Sequence, residues 1–570
     1  MAAAPTIDFR RKLLPLDDGA AGLDQTAPVP FDAPSPEAPL ANGLAVITPS
    51  VVSNGAAQAM LVPLASKTYG VTGAGIKIGI LSDSFNLTGG YAADVANGSL
   101  AAGATVLKEG PAGSSDEGRA MAELIHKIAP NAQIEFYSAF YGEADFANGI
   151  AALTAAGCNV IVDDVTYLTE PFFQTGDVIQ TAVQTAINAG VSYFTSASNE
   201  GSNFYQASFT GVKTTLTGLA GSYLAENFGT ASAPVTRQSL TIAKGATASI
   251  DLQWDQPFAG IGGKTGAANS LGMVLYDSSN HIVAYATMND VNRNPDQILQ
   301  FTNTTASTGF SLAIFTNGGS TVPGQFKYIV YGQGTTINDP HAGKGSGTLI
   351  GHEEVAAANT VGAVAYTQTA AYGGKNAVES FSSVGPGSLL FDANGNRLAQ
   401  ATSSGGVDFI APDGAATNVF NPFYGTSAAA PNAAAVAALM LQANHTLTPA
   451  QVSADLQAST IGASGGASAA GAGLIQAPAA VKLALASKPS VATSTLATLA
   501  ATPTTVSSAL GLVNADPSAT ADFYASLDPQ AAAWAPDAAP PVAASTAALA
   551  MLNNLNFGVP VLTDPNPLGA

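Results

Sequence analysis

The sequence predicts a doubly wound α/β fold: a mostly parallel sheet with helices on both faces, interrupted by an inserted β-sandwich. Three observations lead there. From about residue 58 to 204, short apolar runs that end in acids or polar turns alternate with stretches of helical spacing. From roughly 205 to 343 this gives way to Thr, Ser, Gly and Asn with short alternating segments, such as Ser249 to Trp254 and Lys327 to Tyr331, which read as half-buried strands. After residue 343 the α/β pattern returns.

The elements follow in order. Residues 1–54 are rich in Pro, Ala and Asp without a period and read as a flexible or propeptide-like lead-in. Residues 76–83 form a short buried strand that delivers Asp83 at its C-terminal end, where groups that bind or react gather in parallel sheets. That aspartate reads equally as the cap of the next turn. Ser115 or Asp116 then opens a helix that stops before Pro130, with Ala120, Leu124, Ile125 and Ile128 as its apolar stripe. Glu117 stands in its first turn, where a carboxylate is favoured by the helix dipole in any case. His126 lies around the helix from Glu117 and is read as structural.

A strand over 159–165 ends in the acids Asp163 and Asp164. A helix over 178–189 follows, and a strand over 191–197 leads into the turn Ser198-Asn199-Glu200-Gly201. Beyond the inserted segment come a strand over 359–364, a loop over 379–386 and a strand over 407–413. The sequence Tyr424-Gly425-Thr426-Ser427-Ala428-Ala429-Ala430-Pro431 then starts a helix that is apolar on every side. A serine between glycine and alanines at a helix start suits a nucleophile, because small neighbours allow close approach and the N-terminus favours a developing oxyanion. Read alone, it is more often a Ser/Thr cap on an ordinary core helix. The organisation expected is therefore a lead-in (1–54), a first catalytic part (55–204), the insert (205–343), a second catalytic part (344–485) and an Ala/Thr/Pro-rich tail (486–570).

Composition narrows the partners. Lys and Arg number 19 against 39 Asp and Glu, a formal charge of −20, which argues against nucleic acid or an anionic membrane. No run of about 18 apolar residues offers a membrane span. The single cysteine, Cys158, excludes an internal disulfide and a cysteine metal cluster, and its apolar context makes it a buried thiol.

Asp83, Glu117, Asn199 and Ser427 stand in this order at the ends of elements. Around them the chain resembles the subtilisin-like and sedolisin-like serine peptidases over about residues 60 to 204 and 344 to 480. Ile80-Leu81-Ser82-Asp83-Ser84 is similar to the family's aspartate motif and Ser196 to Gly201 to its oxyanion-asparagine turn. Phe381 to Pro386 and Gly425 to Pro431 resemble its late loop and nucleophile motif. The resemblance implies an endopeptidase acting on proteins or peptides through an acyl-enzyme on Ser427, with Asn199 in the oxyanion hole. One position departs: Glu117 stands where subtilisins place the base histidine. Sedolisins use a glutamate base but pair it with an aspartate four residues on, where this chain has Met121, and they use aspartate rather than asparagine for the oxyanion.

The expected site is thus a hybrid, with Glu117 as base, Asp83 as its partner, and Asp163 and Asp164 as further acids that would raise its proton affinity. Activity should favour acid, best below about pH 6, because a glutamate near its reference pKa of about 4.3 is a weaker base at neutral pH than a histidine near about 6.5. His352 is the one rival base among the remaining histidines. The alternative is an inactive peptidase-like scaffold that works through the inserted sandwich, which the missing histidine favours. No cofactor is expected; a structural calcium ion is common in the family, but no Asp-rich loop here resembles an EF-hand. A monomer is expected, exported without a classical signal peptide or else cytoplasmic.

Overall fold

The computed structural model describes residues 55–488. The lead-in of residues 1–54 and the chain beyond residue 488, including the amphipathic piece expected near Ala547 to Leu555, lie outside the described residues.

Seven strands make one parallel sheet: β1 (Lys77–Ser82), β2 (Thr105–Lys108), β3 (Gln133–Ser138), β4 (Val160–Asp163), β5 (Ser192–Ser196), β6 (Asn359–Ala365) and β7 (Phe409–Asp413). Their order across the sheet is β2-β3-β1-β4-β5-β6-β7. The winding reverses between β1 and β4, and in open parallel sheets such a reversal opens a crevice beyond the C-terminal strand ends. Asp83 follows β1 and Asp164 follows β4, so both stand at that crevice.

Strand alternation sends neighbouring residues to opposite faces. Ile78, Ile80, Val160 and Val162 join one core with helices α1 (Glu117–Ile128) and α4 (Thr426–Ala443). Leu81, Ile161 and Tyr193 join a second with α2 (Glu143–Ala155) and α3 (Val178–Asn188). Both faces are covered, as a doubly wound sheet requires. Within α4 every residue but Gln442 is buried. Its alanines each bury little, about 0.8 kcal/mol per methyl group, but they let the helix lie close over the sheet beside α1. Cys158 is buried, and burial pushes its thiol up to about 12.

Between β5 and β6 the chain builds two antiparallel sheets. One orders strands Asp296–Thr302, Thr247–Trp254, Gln325–Tyr331 and Phe204–Ser208; the other is centred on Asn269–Asp277 and Gly309–Gly319. They pack face to face around Trp254, Leu252, Phe326, Tyr328, Met273 and Ile314, a sandwich. The half-buried reading fails for the first sheet. Its other face, with Asp251, Gln253, Lys327 and Tyr331, is also buried. Ile329 and Tyr331 pack there with Phe172, Phe173 and Phe391. Gln253 accepts from the Phe172 N–H at 2.8 Å and donates to the Glu170 carbonyl at 2.9 Å, and the Lys327 ammonium sits 4.5 Å above the Phe172 ring. Alternation marks two chemically different faces, not which of them meets water.

Candidate active site

Ser427 lies in the first turn of α4 and is 2% exposed. The turn before it depends on Gly425, which caps the helix at φ 105° and ψ 167°, a conformation essentially reserved for glycine. Gly425→Ala is expected to lower stability by roughly 1–3 kcal/mol, the usual cost of such strain; thermal denaturation that leaves the variant equal to the parent would contradict it. The Ser427 N–H, in the first turn, has no acceptor within its own helix.

The Ser427 hydroxyl lies beside the Glu117 carboxyl, within reach of its stabilising influence. Glu117 opens α1, after Asp116 in the left-handed region at φ 66°. The Asp164 carboxyl lies next to that of Glu117, so the two carboxyls act on each other. Asp164 is 3% exposed, and neither of its oxygens accepts a well-formed bond from a conventional donor, although Ser82 lies within weaker reach. Ionising both members would leave two adjacent negative charges, which favours a state with one proton on the pair. Burial first, then the Asp164 and Asp83 charges, raises Glu117 well above the usual carboxylate range. Burial, then the Asp83 and Asp163 charges, does the same for Asp164.

The expected partner, Asp83, takes a different place. Its Oδ1 accepts from the Glu117 backbone N–H at 2.8 Å and from the Ser84 N–H, and its Oδ2 accepts from the Ser115 hydroxyl at 2.7 Å and the Ser115 N–H. The physical reason is the start of α1: the N–H groups there have no partner within the helix and compete for any nearby carboxylate. Asp83 therefore fixes the backbone that carries Glu117 and reaches the Glu117 carboxyl through its field. Burial raises the Asp83 pKa, although these bonds oppose the shift.

Asp163 and Asp164 are separated by strand alternation. Asp163 points to the α2/α3 side, where its Oδ1 accepts from Thr195 Oγ1 at 2.8 Å and faces His352 Nε2 at 3.2 Å. His352, expected as the one rival base, is fully buried, and its Nδ1 lies 2.7 Å from Glu170 Oε2. Since both ring nitrogens face carboxylates, both donate and the ring is an imidazolium. Burial alone would lower its pKa, but the charges of Glu170 and Asp163 outweigh that and raise it. No ring nitrogen is left for Ser427. His126 is half-buried on α1, and burial lowers its pKa.

Asn199 stands in the turn after β5. Its Oδ1 accepts from the Thr426 N–H and hydroxyl, each at 3.0 Å. This fixes the amide so that its Nδ2, buried and without a partner, is left as a donor on the Gly425 side of the turn. Two acids that sequence reasoning did not single out support this turn. Glu200, which burial raises to about 8, accepts from the Asn199 N–H at 2.9 Å. Glu353 binds the hydroxyls of Ser198 and Thr166. Glu200 stood inside the turn singled out for Asn199, and Glu353 directly follows His352 in the chain.

Among the described residues no group of three or more His, Cys, Asp or Glu side chains could hold a metal ion. Where Asp94, Asp116 and Glu123 converge, the Arg119 guanidinium fills the space between them. No helix of the described residues is long and apolar enough to cross a membrane.

Ser427, the Glu117 and Asp164 carboxyls and the unpaired Asn199 amide thus stand at the winding reversal of this α/β sheet, where open parallel sheets place their binding crevice. The chain is a member of the subtilase family of serine peptidases, whose sequence pattern matches residues 74–473, more than half of its length. Similar solved structures include the CspB protease of Clostridium perfringens, 13% identical over 76% of this chain and 98% of that one, with a TM-score of 0.47. Fervidolysin from Fervidobacterium pennivorans is 14% identical over 72% of this chain and 43% of its own, at a TM-score of 0.32. MycP1 from Mycobacterium smegmatis is 14% identical over 76% and 86%, at a TM-score of 0.33. No curated protein matches the chain.

Proposed function

We propose that the protein is an endopeptidase that cleaves peptide bonds through an acyl-enzyme on Ser427, with Glu117 as general base in the manner of a sedolisin. The observation that carries this reading is the placement of the Ser427 hydroxyl beside the Glu117 carboxyl, with the Asp164 carboxyl next to it. Serine is a poor nucleophile unless a base takes its proton as it attacks. In this mechanism Ser427 Oγ adds to the scissile carbonyl carbon while its proton passes to Glu117. The carbonyl oxygen becomes an oxyanion facing Asn199 Nδ2 and the Ser427 N–H. Glu117 returns the proton to the departing amine as the C–N bond breaks, leaving an ester on Ser427. A water molecule, deprotonated by Glu117, then adds to that ester, and its collapse frees the acid product and restores the hydroxyl.

Asp164 holds the second proton position, so that Glu117 accepts from Ser427 without creating two adjacent charges. Asp83 keeps Glu117 at the start of its helix. The competent form of the pair carries one proton, which gives a bell-shaped pH profile with its maximum on the acid side of neutrality. Asp164→Asn should remove the alkaline limb, since Glu117 then needs only to be ionised; kcat measured from pH 3 to 9 tests this, and an unchanged alkaline limb takes Asp164 out of the mechanism. The overall reading is tested by labelling with a fluorophosphonate across pH 3 to 8. The parent should react at Ser427 and the Ser427→Ala variant should not; a folded parent that never reacts favours a binding protein on a peptidase scaffold.

A further inference from the structure

The turn that carries Asn199 is held by a carboxyl that lies outside it. Ser198 is fully buried and sits at φ 65°, in the left-handed region. Serine rarely adopts that conformation, and it persists only where the surroundings enforce it. The Ser198 hydroxyl donates to Glu353 Oε1, which also accepts from the Thr166 hydroxyl, and the two hydroxyls lie 2.9 Å apart. Glu353 Oε2 accepts from the Ile350 N–H at 3.1 Å. The Ser198 carbonyl in turn accepts from the Ser383 N–H and from the Thr426 hydroxyl, each at 3.2 Å.

One fully buried carboxyl thus clamps the segment after β4 to the turn after β5, two residues from Asp164 on one side and next to Asn199 on the other. It stands on the short turn Gly351–Glu354, where the chain re-enters the parallel sheet from the insert. We infer that Glu353 is a positioning residue for the oxyanion site: by holding Ser198 in its left-handed conformation it keeps the Asn199 amide aimed at the carbonyl oxygen of the substrate. The inference rests on the reading of Ser427 as a nucleophile. A glycine at position 198 would adopt the same φ without being held, which gives the clamp a signature that a general packing role lacks.

The test compares casein hydrolysis and fluorophosphonate labelling by the full chain carrying Glu353→Ala, Ser198→Gly or both. Loss of an oxyanion donor costs on the order of 10²- to 10³-fold in kcat, so misaiming it through Glu353→Ala should cost about 10- to 100-fold, with KM nearly unchanged. In the Ser198→Gly background the same change should cost less than about 3-fold, because glycine no longer needs the clamp. Glu353→Gln, which keeps an acceptor for the hydroxyls, should retain more activity than Glu353→Ala. Parent-like kcat for folded Glu353→Ala, or an equal loss in both backgrounds, overturns the inference. If Glu353→Ala does not fold, Ser198→Ala replaces it: that variant keeps the strain without the hydroxyl and should have a lower kcat than Ser198→Gly, and the reverse order overturns the inference. A parent chain that never labels at Ser427 sinks the peptidase reading and this inference together, whereas a parent that labels normally leaves the comparison to decide the clamp alone.

Discussion

Glu117→Gln is expected to lower kcat for peptide hydrolysis by on the order of 10⁴-fold or more, the scale on which removing the base of a serine nucleophile acts. KM should change far less. The amide is nearly isosteric with the carboxyl and still stands beside the Ser427 hydroxyl, so substrate should bind as before. It cannot take the proton as Oγ attacks, so the step is left to solvent. The same change removes one of two adjacent carboxyls whose ionisation is mutually unfavourable, and stability should therefore hold or rise. Lost rate with retained or raised Tm separates a removed base from a damaged fold, as expected where an active site stores unfavourable electrostatics. Kinetics and calorimetry on the purified variant measure both; a kcat within about 10-fold of the parent excludes Glu117 as the base.

The second large effect is on stability. Burial raises Glu123, Asp177, Glu353 and Asp408 to about 7, and Glu200 and Glu354 to about 8. In the unfolded chain such groups titrate near about 4. Between those values the folded state holds more protons than the unfolded one. Stability from these groups is therefore full below about pH 4 and is lost as pH rises through about 8. His352, whose folded pKa is also raised, contributes in the same direction. Asp116, lowered by hydrogen bonds from Thr88, Ser84 and Arg119 that outweigh its burial, opposes them at low pH only. The Tm should thus be several degrees higher at pH 5 than at pH 8 at constant ionic strength. A Tm that rises from pH 5 to pH 8 would contradict the burial of these acids. This slope runs with the acid-side activity proposed above, so fold and site would share one working range.

How much of this was open to sequence reasoning depends on which physical rule was at stake. The α/β class was legible because each strand and helix carries its own periodicity, a local property that survives without knowledge of neighbours. The Gly425-Thr426-Ser427 start of α4 was legible for the same reason: a Gly-only turn followed by small residues is a local signature. The sandwich strands could be found, but alternation does not say which face meets water, and the face bearing Asp251 and Lys327 is buried against Phe172 and its neighbours.

By itself the sequence determined that Asp83, Glu117, Asp163, Asp164, Asn199 and Ser427 stand at the ends of elements, and in what order along the chain. Tertiary structure alone decided their pairing. Asp163 and Asp164 are adjacent in the chain, yet strand geometry sends one to His352 and the other to Glu117. Asp83 goes to the backbone of α1 because free helix N–H groups are there to bind it. Which carboxyl meets which donor is set by distances across a sheet reversal, between residues tens to hundreds of positions apart, and no local spacing encodes those distances.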